Sequence, residues 1–195
     1  TVVKNLQNGK FLLALSDGMG TGTRAAVQSQ AALGLLTQFL EMGYAPEIAV
    51  KTVNSAMIMR SQDEEEFATL DLALIDLQDA SAQFVKIGAV FSLIKREERV
   101  GLVKSGSLPI GILQQMEPDQ IFVQLEPGDL VVMFSDGVIH GAGNNPEDWL
   151  ARVLQNCRTE DPENLAHFIL NNARIQAHNR IADDMTVIVF RVVLR

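Results

Sequence analysis

The chain has 195 residues, 47% of them hydrophobic, enough for one globular domain with a full core. Its formal charge of −8, from 24 acidic against 16 basic residues, excludes the basic surface that nonspecific nucleic-acid binding needs. A lone cysteine, Cys157, excludes an internal disulfide and points to a reducing compartment, and no apolar run reaches the roughly 18 residues that span a bilayer.

Residues 11–15 are a short apolar run between Gly9 and Asp17-Gly18, which reads as a buried strand. Thr21 or Thr23 is placed to cap the next helix. Ala25, Ala26, Ala32, Leu33, Leu36 and Leu40 recur there at helical spacing, and the helix runs to Met42, where Gly43 ends it. Pro46 suits the first turn of a second helix, whose apolar faces carry Ile48, Val53, Ala56, Met57 and Met59. Residues 61–66 are polar and acidic and read as a loop.

The chain then turns β-like. Residues 69–77 form a strand, Gln78-Asp79-Ala80-Ser81 a turn, and residues 83–87 the partner strand. Residues 91–95 and 100–103 make a second hairpin through Arg96-Glu97-Glu98-Arg99. Such close spacing predicts antiparallel pairing and not a βαβ crossover. Ser107-Leu108-Pro109-Ile110-Gly111 carries turn chemistry. Residues 120–125 alternate as a strand, which Glu126-Pro127-Gly128-Asp129 turns into a strand over 130–134. Asn144-Asn145-Pro146 opens a helix over 147–155, and Asp161-Pro162 opens another that runs to Ala177. Residues 185–193 are the last strand. The order is strand, two helices, many strands, two helices, strand. It predicts an α+β domain with helices covering both faces of a largely antiparallel double sheet.

Three acidic sites punctuate this order. Ser16-Asp17-Gly18 and Ser135-Asp136-Gly137 each follow an apolar strand, and Asp183-Asp184 precedes one. Asp-Gly is first a turn signal. Neither triplet, though, is followed closely by a partner strand, so neither reads as a simple hairpin. If these strand ends converge, their carboxylates repel unless a cation neutralises them. Oxygen donors suit Mg²⁺ or Mn²⁺. Glycine beside an aspartate lets the backbone carbonyl approach a metal as well. Two such ions bind a phosphate and activate water, which is phosphatase chemistry. His140, His167 and His178 lack a clustered metal spacing, and nothing near Cys157 resembles a catalytic arrangement. The glycines of Gly18-Met19-Gly20-Thr21-Gly22 match neither a phosphate-binding loop with lysine nor a clean GxGxxG.

At these residues the chain resembles the PP2C-type (PPM) serine/threonine phosphatases, in their bacterial stage II sporulation protein E branch. Ser16-Asp17-Gly18-Met19-Gly20, Ser135-Asp136-Gly137 and Asp183-Asp184-Met185-Thr186 carry the likeness. Thr69-Leu70-Asp71-Leu72, Ile75-Asp76-Leu77-Gln78-Asp79-Ala80 and Leu108-Pro109-Ile110-Gly111-Ile112 support it. The resemblance implies an α-β-β-α sandwich of two mainly antiparallel sheets flanked by helix pairs. It implies two Mn²⁺ or Mg²⁺ ions whose bound water attacks a phosphoserine. Asp17 is then the bridging ligand and Gly18 a carbonyl ligand; Asp136 and Asp183 complete the set, with Asp184 beside Asp183. The implied partner is a phosphorylated anti-sigma-factor antagonist in sporulation. The implied setting is cytoplasmic, in a parent chain anchored to the membrane.

The family carries another metal-site aspartate on an earlier strand, and that position falls before Thr1. The start, Thr1-Val2-Val3, has no methionine. The expectation is therefore a single domain, residues 1–195, cropped at its N-terminus, with weak metal binding, low activity and an open sheet edge that favours a homodimer. The resemblance also implies that the first two helices, over residues 23–60, regulate the Gly18 ligand. A catalytically silent binding module on the same fold is the competing reading, and a nucleotide-binding module is a third.

Overall fold

The computed structural model describes residues 1–18, 22–60, 67–179 and 183–193. Along the chain run β1 (Val2–Asn5), β2 (Lys10–Leu15), α1 (Thr23–Glu41), α2 (Pro46–Arg60), β3 (Leu70–Asp76), β4 (Ser81–Ile87), β5 (Ser92–Arg96), β6 (Arg99–Val103), β7 (Asp119–Gln124), β8 (Leu130–Phe134), α3 (Pro146–Asn156), α4 (Pro162–Gln176) and β9 (Val187–Arg191). A short 3-10 turn, Asp136–Val138, follows β8. The chain divides into two compact units, Thr1–Ala89 with Ser105–Gln124, and Val90–Lys104 with Leu125–Arg195. The acidic loop expected at 61–66 lies outside the described residues.

The first unit is built on a five-stranded antiparallel sheet in the order β1-β2-β3-β4-β7. Period-two alternation sends Leu12, Ala14, Leu70, Leu72, Leu74, Val85 and Ile87 to one core. Leu33, Leu36 and Leu40 of α1 and Val50, Val53 and Met57 of α2 join the same core at helical spacing. Each large side chain taken out of water there contributes about 1.5–3 kcal/mol. The second unit repeats the arrangement with other partners. Its four antiparallel strands run β6-β5-β8-β9. Phe91, Leu93, Leu130, Val132 and Phe134 pack with Leu150 and Leu154 of α3 and Leu165 and Ile169 of α4. Two antiparallel sheets, each with its own helix pair, match the α+β expectation.

Several local expectations change. β1 was not anticipated: it is short and largely exposed, and its ladder to β2 holds it, with Val2 opposite Ala14. Thr23 is the first residue of α1 and caps nothing; Gly22 is the N-cap, with no side-chain cap bond, and Thr21 lies outside the described residues. α3 begins one residue earlier than expected, at Pro146, because Asn145 accepts from the Asp148 N–H. Asp161 does the same for α4 through Asn164. β9 is shorter than the 185–193 run.

The turn at 126–129 stands where the sequence places it, but the strands it joins do not pair with each other. It joins β7 to β8, yet β7 pairs with β4 and β8 with β5 and β9. Asp129 is buried and serves both the turn and β5: its carboxylate accepts from the Glu126 N–H at 2.8 Å and takes Arg96 in a two-pronged pair, Nε–Oδ1 2.8 Å and NH2–Oδ2 2.7 Å.

One charged pair lies inside the first unit. Asp71 of β3 stands directly across from Lys86 of β4, both side chains are fully buried, and Nζ lies 2.7 Å from Oδ2. Burial pulls the Lys86 ammonium below its usual range, while the charge and hydrogen bond of Asp71 oppose that. No helix among the described residues is long and apolar enough to cross a membrane.

Candidate metal centre

β2 ends at Leu15, opposite Asp71, and the register carries on beyond the strand. The Thr69 N–H donates to the Asp17 carbonyl at 2.7 Å. The Asp17 N–H donates to Thr69 Oγ1 at 2.9 Å. Asp17 therefore has its backbone held on both sides by one residue, with its side chain half-buried. Gly18 follows in an isolated bridge to Ala68, which bridges in turn to Ile110. A Cβ on Gly18 would stand 2.2 Å from the Ala25 carbonyl oxygen. Only glycine lets the first turns of α1 lie this close to the strand end.

The second unit holds the other two acidic sites together. Past the end of β8, the Ser135 N–H donates to the Thr186 carbonyl at 3.0 Å. Ser135 Oγ accepts from the Thr186 N–H and donates to the Asp184 carbonyl, each at 3.0 Å. A Cβ on Gly137 would fall 2.3 Å from the Asp184 carbonyl oxygen, so the Asp136–Val138 turn lies directly on the 183–184 segment. Asp136, Asp183 and Asp184 are all exposed there. The Asp183 carboxylate accepts from the Asp184 N–H at 2.8 Å. Removing the hydroxyl that stitches these segments leaves the Thr186 N–H and the Asp184 carbonyl without it. Ser135→Ala is therefore expected to lower stability by about 1–3 kcal/mol. Thermal unfolding checks this, and an unchanged midpoint would show that other contacts hold the 183–184 segment.

The two identical triplets are not equivalent. Ser135 organises its site, whereas Ser16 Oγ is buried with no partner among the described residues. The corresponding role beside Asp17 falls to Thr69. The sequence reading named neither Thr69 nor Ser135 as a clamp; the Ser of the repeated triplet was the available signal for one of them.

The structure thus brings Asp136 beside Asp183 and Asp184 in one unit, and sets Asp17 beside Gly18 in the other. Among the described residues no group of three or more His, Cys, Asp or Glu side chains is gathered as a metal cluster. The donor type nevertheless fits a hard divalent cation. Every candidate is a carboxylate or a backbone carbonyl, with no thiolate or imidazole among them. His140 and His167 are exposed, the latter 4.0 Å from Glu163, and His178 follows α4. Cys157 is buried at the end of α3, where its carbonyl accepts from Lys95. Residues 19–21 of the glycine-rich stretch lie outside the described residues.

The model of the stage II sporulation protein E (SpoIIE) family matches residues 7–193. The chain is 40% identical over 185 residues to stage II sporulation protein E of Bacillus subtilis, covering 94% of this chain and 22% of that protein. The structure of the PP2C phosphatase domain of that protein with a fragment of its regulatory domain superposes at a TM-score of 0.90. Identity is 39%, and the match covers 98% of this chain and 57% of that one. The phosphatase domain of the same protein, pre-soaked with Mn, matches at a TM-score of 0.65 and 33% identity, over 93% of this chain and 88% of that one. The chain spans about a fifth of the length of its full-length Bacillus relative. It belongs to the stage II sporulation protein E family and is a PP2C-type phosphatase domain.

Proposed function

We propose that the domain hydrolyses phosphoserine on a regulatory protein with the help of two Mn²⁺ or Mg²⁺ ions. Asp17, Gly18, Asp136 and Asp183 would hold them, with Asp184 supporting Asp183. The observation that carries this reading is a set of oxygen-only donors at strand ends, with Thr69 clamping the Asp17 backbone and Ser135 tying the 136 turn to the 184–186 backbone, in a chain of this family. When bound, such ions supply an activated water and neutralise charge on the phosphoryl oxygens. The protein's own residues supply rigidity. Thr69 holds the Asp17 backbone, the close contact with Ala25 seats Gly18, and Ser135 with Gly137 keeps Asp136 against Asp183. Preorganisation of this kind spares reorganisation at the moment of reaction.

The relatives are named as sporulation proteins, and one is described as a cell fate determinant. A phosphorylated anti-sigma-factor antagonist is the substrate we assign on that ground, met in the cytoplasm by a domain that its parent chain tethers to the membrane. The test is phosphate release from a phosphoserine protein with Mn²⁺ and with EDTA. Release that requires Mn²⁺ is the expected result. Binding of the phosphoprotein without turnover would instead support the silent binding module.

A further inference from the structure

The Ser135 hydroxyl and the Gly137 contact hold Asp136 to the 183–184 segment directly. A second seat lies at the C-terminal end of α4, and both acidic segments of the second unit reach it. After Asp136 the chain runs through two tight turns. The Ile139 N–H donates to the Asp136 carbonyl at 3.0 Å, and the Ala142 N–H to the Ile139 carbonyl at 2.9 Å. Val138 anchors the first turn in the core of the unit. Gly141 then comes down on the helix end. A Cβ there would stand 2.9 Å from both N and Cα of Ala177 and 3.1 Å from the carbonyl carbon of Gln176. All of these atoms are backbone, so no rotamer change makes room, and only glycine fits.

The helix end is itself built to turn the chain. The His178 N–H donates to the Ile175 carbonyl at 2.9 Å, and the Asn179 N–H to the Arg174 carbonyl at 2.8 Å, the two bonds that close a Schellman turn. The left-handed position of such a turn is usually glycine. Here His178 and Asn179 stand in left-handed backbone, with φ of 51° and 58°. That conformation is unfavourable for a residue with a side chain, and histidine and asparagine are among those that adopt it most readily. Asp183 follows Asn179 by four residues, a reach of at most about 14 Å. The direction in which the chain leaves α4 therefore limits where Asp183 can stand.

We propose that the C-terminal turn of α4 is the common seat of Asp136 and Asp183, and that Gly141 and the left-handed pair His178–Asn179 are positioning residues that fix the separation of the two carboxylates. The proposal rests on the reading of Asp136 and Asp183 as metal ligands. The three residues act through backbone placement and present no ligand of their own. Two carboxylates this close repel when no cation lies between them. One helix end that carries both holds them against that repulsion, so an ion meets ligands already in place.

The experiment compares Gly141→Ala, His178→Val and His178→Gly with two controls, Val153→Ala and Gly143→Asn. Val153 is a core position of α3. Gly143 has open space where a Cβ would stand and a φ of 71° that asparagine accepts. The first readout needs no metal: hydrogen exchange at the Ser135, Ile139 and Thr186 amides. The second is Mn²⁺ affinity by calorimetry. Gly141→Ala and His178→Val are expected to speed exchange at these amides and to weaken Mn²⁺ binding roughly tenfold, as loss of an outer support does. His178→Gly is expected to keep wild-type affinity, because glycine takes the left-handed conformation freely. Val153→Ala is expected to lower the melting temperature and leave Mn²⁺ affinity unchanged, and Gly143→Asn to change neither readout. Unaltered exchange at Thr186 in Gly141→Ala overturns the shared seat. Equal weakening of Mn²⁺ binding by Val153→Ala reduces Gly141 and His178 to stability residues and overturns the positioning role. Equal loss of affinity in His178→Gly and His178→Val overturns the backbone role and transfers it to the imidazole. A wild type that takes up no Mn²⁺ overturns the reading of Asp136 and Asp183 as ligands, while the exchange readout still decides whether they share a seat.

Discussion

Lys86→Met lowers the unfolding free energy by about 3–5 kcal/mol, and adding Asp71→Leu recovers most of that loss. The asymmetry follows from burial. Both side chains are fully buried, and they face each other on the neighbouring inner strands β3 and β4 of the first sheet, 2.7 Å apart. Taking either charge out of water is costly, and each offsets part of that cost for the other. Removing Lys86 alone takes from the buried Asp71 carboxylate the ammonium 2.7 Å away. Replacing both with apolar groups of similar size removes the desolvation cost together with the attraction. Solvent cannot screen this pair, so its effect persists in high salt, unlike that of the surface pair Lys51–Glu117. Urea unfolding of the two single variants and the double variant measures the cycle. A neutral Lys86→Met would show that the pair adds nothing to stability.

The second large effect is catalytic. Asp136→Asn is expected to reduce Mn²⁺-dependent phosphate release about 100-fold or more, because loss of several kcal/mol of charge stabilisation costs one decade per 1.36 kcal/mol. The substitution keeps the side-chain shape. Asp136 is exposed, and the turn it opens is held by backbone bonds and by the contact of Gly137 with Asp184, which the variant retains. Melting should therefore stay close to wild type while activity falls. Ser135→Ala next door predicts the reverse weighting, a loss of stability first, since Ser135 binds backbone and presents no ligand. Full activity in Asp136→Asn would remove this residue from the site and sink the assignment of the second unit's carboxylates.

Local physics made much of the fold readable. The 3.6-residue recurrence from Ala25 to Leu40 marked α1, and Asn145-Pro146 and Asp161-Pro162 marked the starts of α3 and α4. Short polar turns between alternating runs marked the β3–β4 and β5–β6 hairpins, because such turns act only on their neighbours. The acidic strand ends were legible because Asp17 and Asp136 sit where apolar runs stop and Asp183 where one is about to begin. Their family followed from the motifs.

What only the tertiary structure decided depends on partners distant in sequence. The turn at 126–129 joins two consecutive strands, yet β7 pairs with β4 and β8 with β5, since a strand pairs where its apolar face is buried and not where its turn points. Lys86 in an apolar strand makes sense only once the register places Asp71 opposite it. Gly18 and Gly137 are required because carbonyls of Ala25 and Asp184 occupy the space a Cβ would need. Of two identical Ser-Asp-Gly triplets, one serine builds its site and the other does not, because only Ser135 has the 184–186 backbone beside it. Sequence by itself determined which residue types stand at the strand ends and hence the kind of chemistry. Tertiary contacts decided which hydroxyls, amides and close backbone approaches hold those carboxylates in place, because a hydrogen bond selects its partner by distance in space.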